Sequence, residues 1–171
     1  MKILVIGQSL EDHIKIIDLS CKGPLLLSYH FGQMMKTRKK GGIILLSSLS
    51  CFQGAPMVAN YAASKAYNLI LGESLWDELA PYGVDVITIV AGSLNTPQTR
   101  EKNPDDSGYN PPLIEPDDLV RETFRELGKK GSYIPGLNYR ITNFFLQNLF
   151  SRKRAVAKVG KMMRRIYNIK Y

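Results

Sequence analysis

A chain of 171 residues, 44% apolar and 22% charged, has the ordinary balance of a soluble globular domain with a real core. No apolar run approaches the ~18 residues of a membrane span, and MKILVIGQSLED carries too short an apolar run for a signal peptide. The formal charge of +8 is uneven: Leu137 to Tyr171 holds nine Lys or Arg and no Asp or Glu, whereas the preceding body is near neutral. The two cysteines, Cys21 and Cys51, and the two histidines, His13 and His30, form no Cys-x-x-Cys and show no metal-ligand spacing, which fits a reducing, cytoplasmic setting.

In chain order, Lys2–Ile6 (KILVI) is an apolar strand candidate. Leu10–Lys40 reads mostly as helix, broken near Gly23-Pro24 and ended by the polar TRKKGG turn. Gly42–Leu46 (GIILL) is a second buried strand. A Ser/Gly/Pro loop leads to a long helix over Tyr61–Leu79, with Leu69, Leu75, Trp76 and Leu79 on its expected apolar side. Val84–Val90 (VDVITIV) is a third strand, followed by a loop over Gly92–Leu113 in which Tyr109, Pro111 and Pro112 supply apolar surface. The next helix starts at Pro116, where Asp117 and Asp118 suit its positive end, and Ser132–Ile134 is a short last strand. Apolar strands alternating with helices predict a parallel sheet covered on both faces.

The basic tail repeats Ile141, Phe144, Phe145 and Leu149, then Val156, Val159, Met163 and Ile166, at helical spacing. Two docked helices with solvated basic faces are expected. Such a segment also suits peripheral membrane contact; no nucleic acid is expected as a partner.

Ligands of a parallel α/β sheet sit beyond the carboxyl ends of its strands. Polar groups gather there: Ser47 and Ser48 after GIILL, then Gly92, Ser93, Asn95 and Thr96 after VDVITIV, with NYAASK opening the helix between them. Tyr61 and Lys65 of NYAASK fall on one helix face, where an ammonium beside a phenol favours the phenolate. About 0.7 Tyr-x-x-x-Lys pairs are expected by chance in such a composition, so the pair gains meaning only from its surroundings.

Taken together, GGIILLSSLSCFQGAPMVANYAASKAY resembles the short-chain dehydrogenase/reductase family, in which strand, catalytic serine, loop and catalytic helix follow in this order. Ser48 stands thirteen residues before Tyr61, the family's usual separation, and VDVITIVAGSLNTP is similar to the family's strand and Pro-Gly-x-x-x-Thr segment. IIDLSCKGPLL resembles the helix that normally contributes an asparagine, and DDLVRETFRELGKKG the helix before the last strand. The resemblance implies a Rossmann-like parallel sheet with flanking helices over residues 1–136, and a basic amphipathic helical extension over 137–171. It also implies an NAD(P)-dependent oxidoreductase that interconverts an alcohol and a carbonyl by hydride transfer. Tyr61 would exchange the proton, Ser48 would fix the substrate oxygen, and Lys65 would hold the nicotinamide ribose and lower the phenol's pKa. Gly92 and Thr96 would contact the nicotinamide amide or phosphates, with NAD or NADP as cofactor.

Three departures qualify that picture. Ser20 stands where the family has its fourth catalytic residue, an asparagine, and Ala91 replaces the proline before Gly92. No Gly-x-x-x-Gly-x-Gly follows an N-terminal strand, so the chain resembles the C-terminal portion of the fold, with KILVI as the family's fourth strand. An unpaired apolar edge at Lys2–Ile6 is then expected to promote self-association or pairing with a preceding portion, and a homo-oligomer is expected by analogy. The alternative function is a non-catalytic family remnant that acts as an interaction module.

Overall fold

The computed structural model describes residues 7–102, 111–167 and residue 169. The expected strand at Lys2–Ile6, with its edge, and Tyr109 lie outside the described residues.

Three parallel strands form the sheet in the order β1 (Gly41–Ser48), β2 (Val84–Ala91) and β3 (Ser132–Tyr133). Strand β2 is central because it can be buried on both faces: Val84, Val86, Ile87, Ile89 and Val90 are all at most 1% exposed. Each such side chain contributes about 1.5–3 kcal/mol by leaving water. Register runs from Gly41 opposite Val84 to Ser48 opposite Ala91, so β1 is longer than expected and Ser47 and Ser48 are its last residues rather than loop. Full cover on both faces holds for β2 and not for β1, whose Ile44 and Leu46 stay 43% and 46% exposed. The last strand pairs Ser132 and Tyr133 with Thr88 and Ile89, ending one residue short of the expected Ile134.

Helix α1 (Leu10–Ile17) starts at Ser9, whose Oγ accepts the Asp12 amide at 3.1 Å. The expected break near Gly23-Pro24 takes the form of a wide turn over Asp18–Lys22, closed by the Gly23 amide on the Asp18 carbonyl, before α2 (Gly23–Arg38). Pro24 has no amide to give and sits without penalty in the first turn of α2.

Helix α3 (Ala59–Leu79) crosses from β1 to β2 and packs on them through small residues. Ala62, Ser64, Asn68, Leu69 and Gly72 are buried, and a Cβ at Gly72 would collide with Thr88 Oγ1. This corrects the expected apolar side: Leu69 is buried, but Trp76 is exposed and Leu75 and Leu79 are only half-buried. Close approach of helix to sheet, which only small side chains permit, overrides the apolar spacing.

After β2, the segment expected to be loop contains α4 (Pro97–Lys102). Leu94 and Ile114 bridge in parallel, with the Asn95 amide on the Ile114 carbonyl at 2.9 Å. Helix α5 (Pro116–Glu126) covers the sheet beside β3, where Leu119 and Leu127 pack on Ile87, Ile89 and Tyr133.

The tail folds back as α6 (Leu137–Asn148) and α7 (Arg152–Ile166). Helix α7 docks as expected, with Val159 buried against Ala55 and Ala62. Helix α6 presents its expected apolar set outward instead: Ile141, Phe144, Phe145 and Leu149 are exposed, and the inward side carries Tyr139, Asn143 and Leu146. No helix among the described residues is long and apolar enough to cross a membrane.

Candidate active site

The first turns of α3 carry the Tyr61 and Lys65 pair. The Lys65 ammonium lies 5.6 Å from the centre of the Tyr61 ring and donates to the Leu46 carbonyl of β1 at 2.9 Å. Two more bonds fix this turn: Ser47 Oγ donates to the Lys65 carbonyl at 2.7 Å, and Ser64 Oγ to the Tyr61 carbonyl at 2.8 Å. Just before them, Asn60 Nδ2 donates to the His13 carbonyl at 3.0 Å and lies 3.2 Å from His13 Nδ1, tying α1 to α3. Burial pushes the Lys65 amine below its ordinary pKa, with Cys21 pulling weakly the other way. Burial also pushes the Cys21 thiol up, and Lys65 offsets part of that rise.

Ser48 ends β1 with its Oγ accepting the Ser50 amide at 3.3 Å. It opens on a cavity of about 280 Å³ whose wall includes Gly92, Ser93, Tyr139, Leu146 and Met163. Apolar groups dominate that wall because α6 and α7 roof it, and Met163 also packs on the Ala55, Ala62 and Val159 cluster. Gly92 is required by contact: a Cβ there would collide with the Tyr139 ring. The Tyr139 hydroxyl accepts the Ser93 amide at 3.1 Å and donates to the Pro112 carbonyl, so one side chain pins both ends of the segment after β2.

The remaining expected residues are distributed around these two features. Ser20, in the wide turn between α1 and α2, shares a second cavity of about 390 Å³ with Lys65, Leu46 and Asn68. The Asn68 side chain is buried and its Oδ1 has no hydrogen-bond partner among the described residues. Tyr61 borders a recess of about 70 Å³ with His13 and Asn60. Thr96 instead caps α4, its Oγ1 accepting the Thr99 amide at 3.2 Å. The structure thus pairs Tyr61 with Lys65, Lys65 with Ser20, and Ser48 with Gly92.

Nothing in the sequence marks Tyr139, Leu146 or Tyr167 as site residues, and Met163 reads only as an apolar position of a docked helix. Burial pushes the pKa of Tyr167, just past α7, up, and the Tyr61 phenol adds to the rise. Each of these side chains reaches the site from the tail, and no local spacing announces a contact across such separations.

A family model described as short chain dehydrogenase matches residues 6–107. The chain is similar to 7beta-hydroxysteroid dehydrogenase of Clostridium sardiniense, 35% identical over 137 residues, which are 80% of this chain and 52% of that protein. It is also similar to 3-oxoacyl-[acyl-carrier-protein] reductase of Synechocystis, 33% identical over 58% of this chain and 40% of the relative. Among solved structures, one concerned with 7beta-hydroxysteroid dehydrogenase stereoselectivity superposes with a TM-score of 0.83 at 24% identity, over 91% of this chain and 60% of that one. A short chain dehydrogenase of Burkholderia cenocepacia in complex with NADP superposes with a TM-score of 0.71 at 24% identity, over 89% and 62%. The chain spans about half the length of the curated relatives it matches.

Proposed function

The chain belongs to the short-chain dehydrogenase/reductase family, and from that premise we propose that it is an NAD(P)-dependent oxidoreductase interconverting a small-molecule alcohol and carbonyl. The observation that carries the reading is the Lys65 ammonium set 5.6 Å from the Tyr61 ring on one turn of α3. A phenol beside a fixed cation is suited to give a proton to a carbonyl oxygen and take it back from an alcohol.

Ser48, with a hydroxyl that both donates and accepts, holds the substrate oxygen at the mouth of the apolar cavity. The cavity wall under α6 and α7 takes the substrate's apolar body and excludes water from the reacting end. Lys65 fits a ribose: one of its three N–H groups is used by Leu46, and the other two are left for hydroxyl groups. The amide edge of Gly92 and the Thr96 hydroxyl are the further groups proposed to hold the cofactor, and Ser20, which lines one cavity with Lys65, is proposed in the role of the family's asparagine. When bound, the nicotinamide supplies or accepts the hydride. NADP and NADPH complexes among the structural neighbours support a nicotinamide cofactor without choosing between NAD and NADP. A cytoplasmic homo-oligomer completes the proposal.

Fluorescence titration of NADH and NADPH into the full chain tests it. Saturable binding of either is expected. Absence of binding to both supports the second reading, an interaction module.

A further inference from the structure

Helix α6 has two apolar faces. Tyr139, Asn143 and Leu146, at successive helical turns, face the cavity beside Ser48. On the opposite side, Leu137, Ile141, Phe144 and Phe145 fall within an arc of roughly 100°, and all are exposed, Leu137 and Phe144 by 62% and 60%. Exposed Leu149 extends this strip to about 18 Å in length. Burial in the fold accounts for the inner face and leaves the outer one unexplained.

Helix α7 adds charge. Arg154, Lys158, Lys161 and Arg165 recur at i, i+4, i+7 and i+11, within an arc of roughly 60°, and all are exposed. The stripe joins the end of α6, because the Lys158 ammonium lies 3.7 Å from the centre of the Phe150 ring, next to Leu149. Residues 137–171 contain no Asp or Glu to neutralise it.

We propose that the α6–α7 hairpin docks on an anionic lipid surface, with the α6 strip entering the headgroup boundary and the α7 stripe meeting lipid phosphates and carboxylates. A bilayer offers hydrocarbon and negative charge side by side, which is the combination this surface lacks. A second copy fits less well, since its own hairpin brings another acid-free basic stripe. The helix lies on the membrane rather than crossing it, consistent with its 12 residues. The helix then stands between bilayer and cavity, its outer face on the lipid side and its inner face on the cavity beside Ser48.

Co-sedimentation of the full chain with phosphatidylcholine vesicles, with and without about a third phosphatidylserine, tests this. The chain is expected to pellet with the anionic vesicles about tenfold more tightly than with neutral ones, and to be released by high salt. Phe144→Ser with Phe145→Ser, at exposed positions away from the cavity wall, is expected to abolish sedimentation while leaving the circular dichroism melt unchanged. Arg154→Glu with Lys161→Glu, a second exposed pair, is expected to do the same. No sedimentation of the wild-type chain, or sedimentation of either variant equal to that of wild type, overturns the proposal. So does a concentration-dependent rise in light-scattering mass that the serine pair removes, because the face then serves a second copy.

Discussion

Lys65 donates to the Leu46 carbonyl at 2.9 Å, so the side chain four residues after Tyr61 is anchored to the backbone of β1. The anchor holds the ammonium in a partly dry place, where burial lowers its pKa from the ordinary 10.5. Between the lowered folded value and 10.5 the unfolded chain binds more protons than the folded one, so stability rises with pH across that window. Below the folded value the cost of the buried ammonium is present in full. Urea denaturation of wild type and Lys65→Met from about pH 8 to about pH 11 checks this. The stability of wild type relative to the variant is expected to climb with pH, and a flat difference contradicts the burial of Lys65.

Gly92→Ala is expected to destabilise the chain by about 1–3 kcal/mol, because the new methyl meets the Tyr139 ring in a packed contact. Tyr139→Phe removes the bonds to the Ser93 amide and the Pro112 carbonyl and is expected to cost about 1–3 kcal/mol. Both are read as shifts in the urea midpoint. If the two losses come from one contact, the double variant loses less than their sum.

Thr88 offers the opposite sign. Its Oγ1 is buried without a hydrogen-bond partner among the described residues, pressed against the backbone of α3 at Gly72. Thr88→Val keeps the branched shape suited to β2 and removes the orphan hydroxyl, so a gain of about 1 kcal/mol is expected in thermal or urea denaturation. A loss of similar size contradicts the assignment of that oxygen as unpartnered.

Burial pushes both thiols, Cys21 and Cys51, above the ordinary value of 9.0. The thiolate is the reactive form, so near pH 8 both are expected to react with Ellman's reagent several-fold more slowly than in the urea-unfolded chain. Equal rates in the two states contradict the shifts.

The parts of the fold legible in sequence are those held by bulk apolar burial. VDVITIV and GIILL read as strands because Val and Ile fill both sides of β2, and Ile43 and Leu45 face inward on one side of β1. Ser48 reads as loop, since a hydroxyl at the end of an apolar run looks like a turn, while its backbone still pairs with Ala91. Most of the buried side of α3 is illegible in sequence because Ala62, Ser64 and Gly72 pack by being small, which apolar spacing does not register. In α6 the same spacing marked the exposed face, because a helix with two apolar sides has no single period to follow. The Tyr61 and Lys65 pair was legible because one helical turn joins it. Tyr139 was not, since its bond to Ser93 spans 46 residues.

The central claim is that Tyr61 moves the proton at the substrate oxygen. Turnover of a carbonyl compound by NADPH or NADH is the direct test, measured for wild type and Tyr61→Phe after each has been titrated with the cofactor. The account predicts equal cofactor affinity and a fall in turnover of about 10²–10⁴-fold in the variant. Turnover in Tyr61→Phe equal to that of wild type would contradict it.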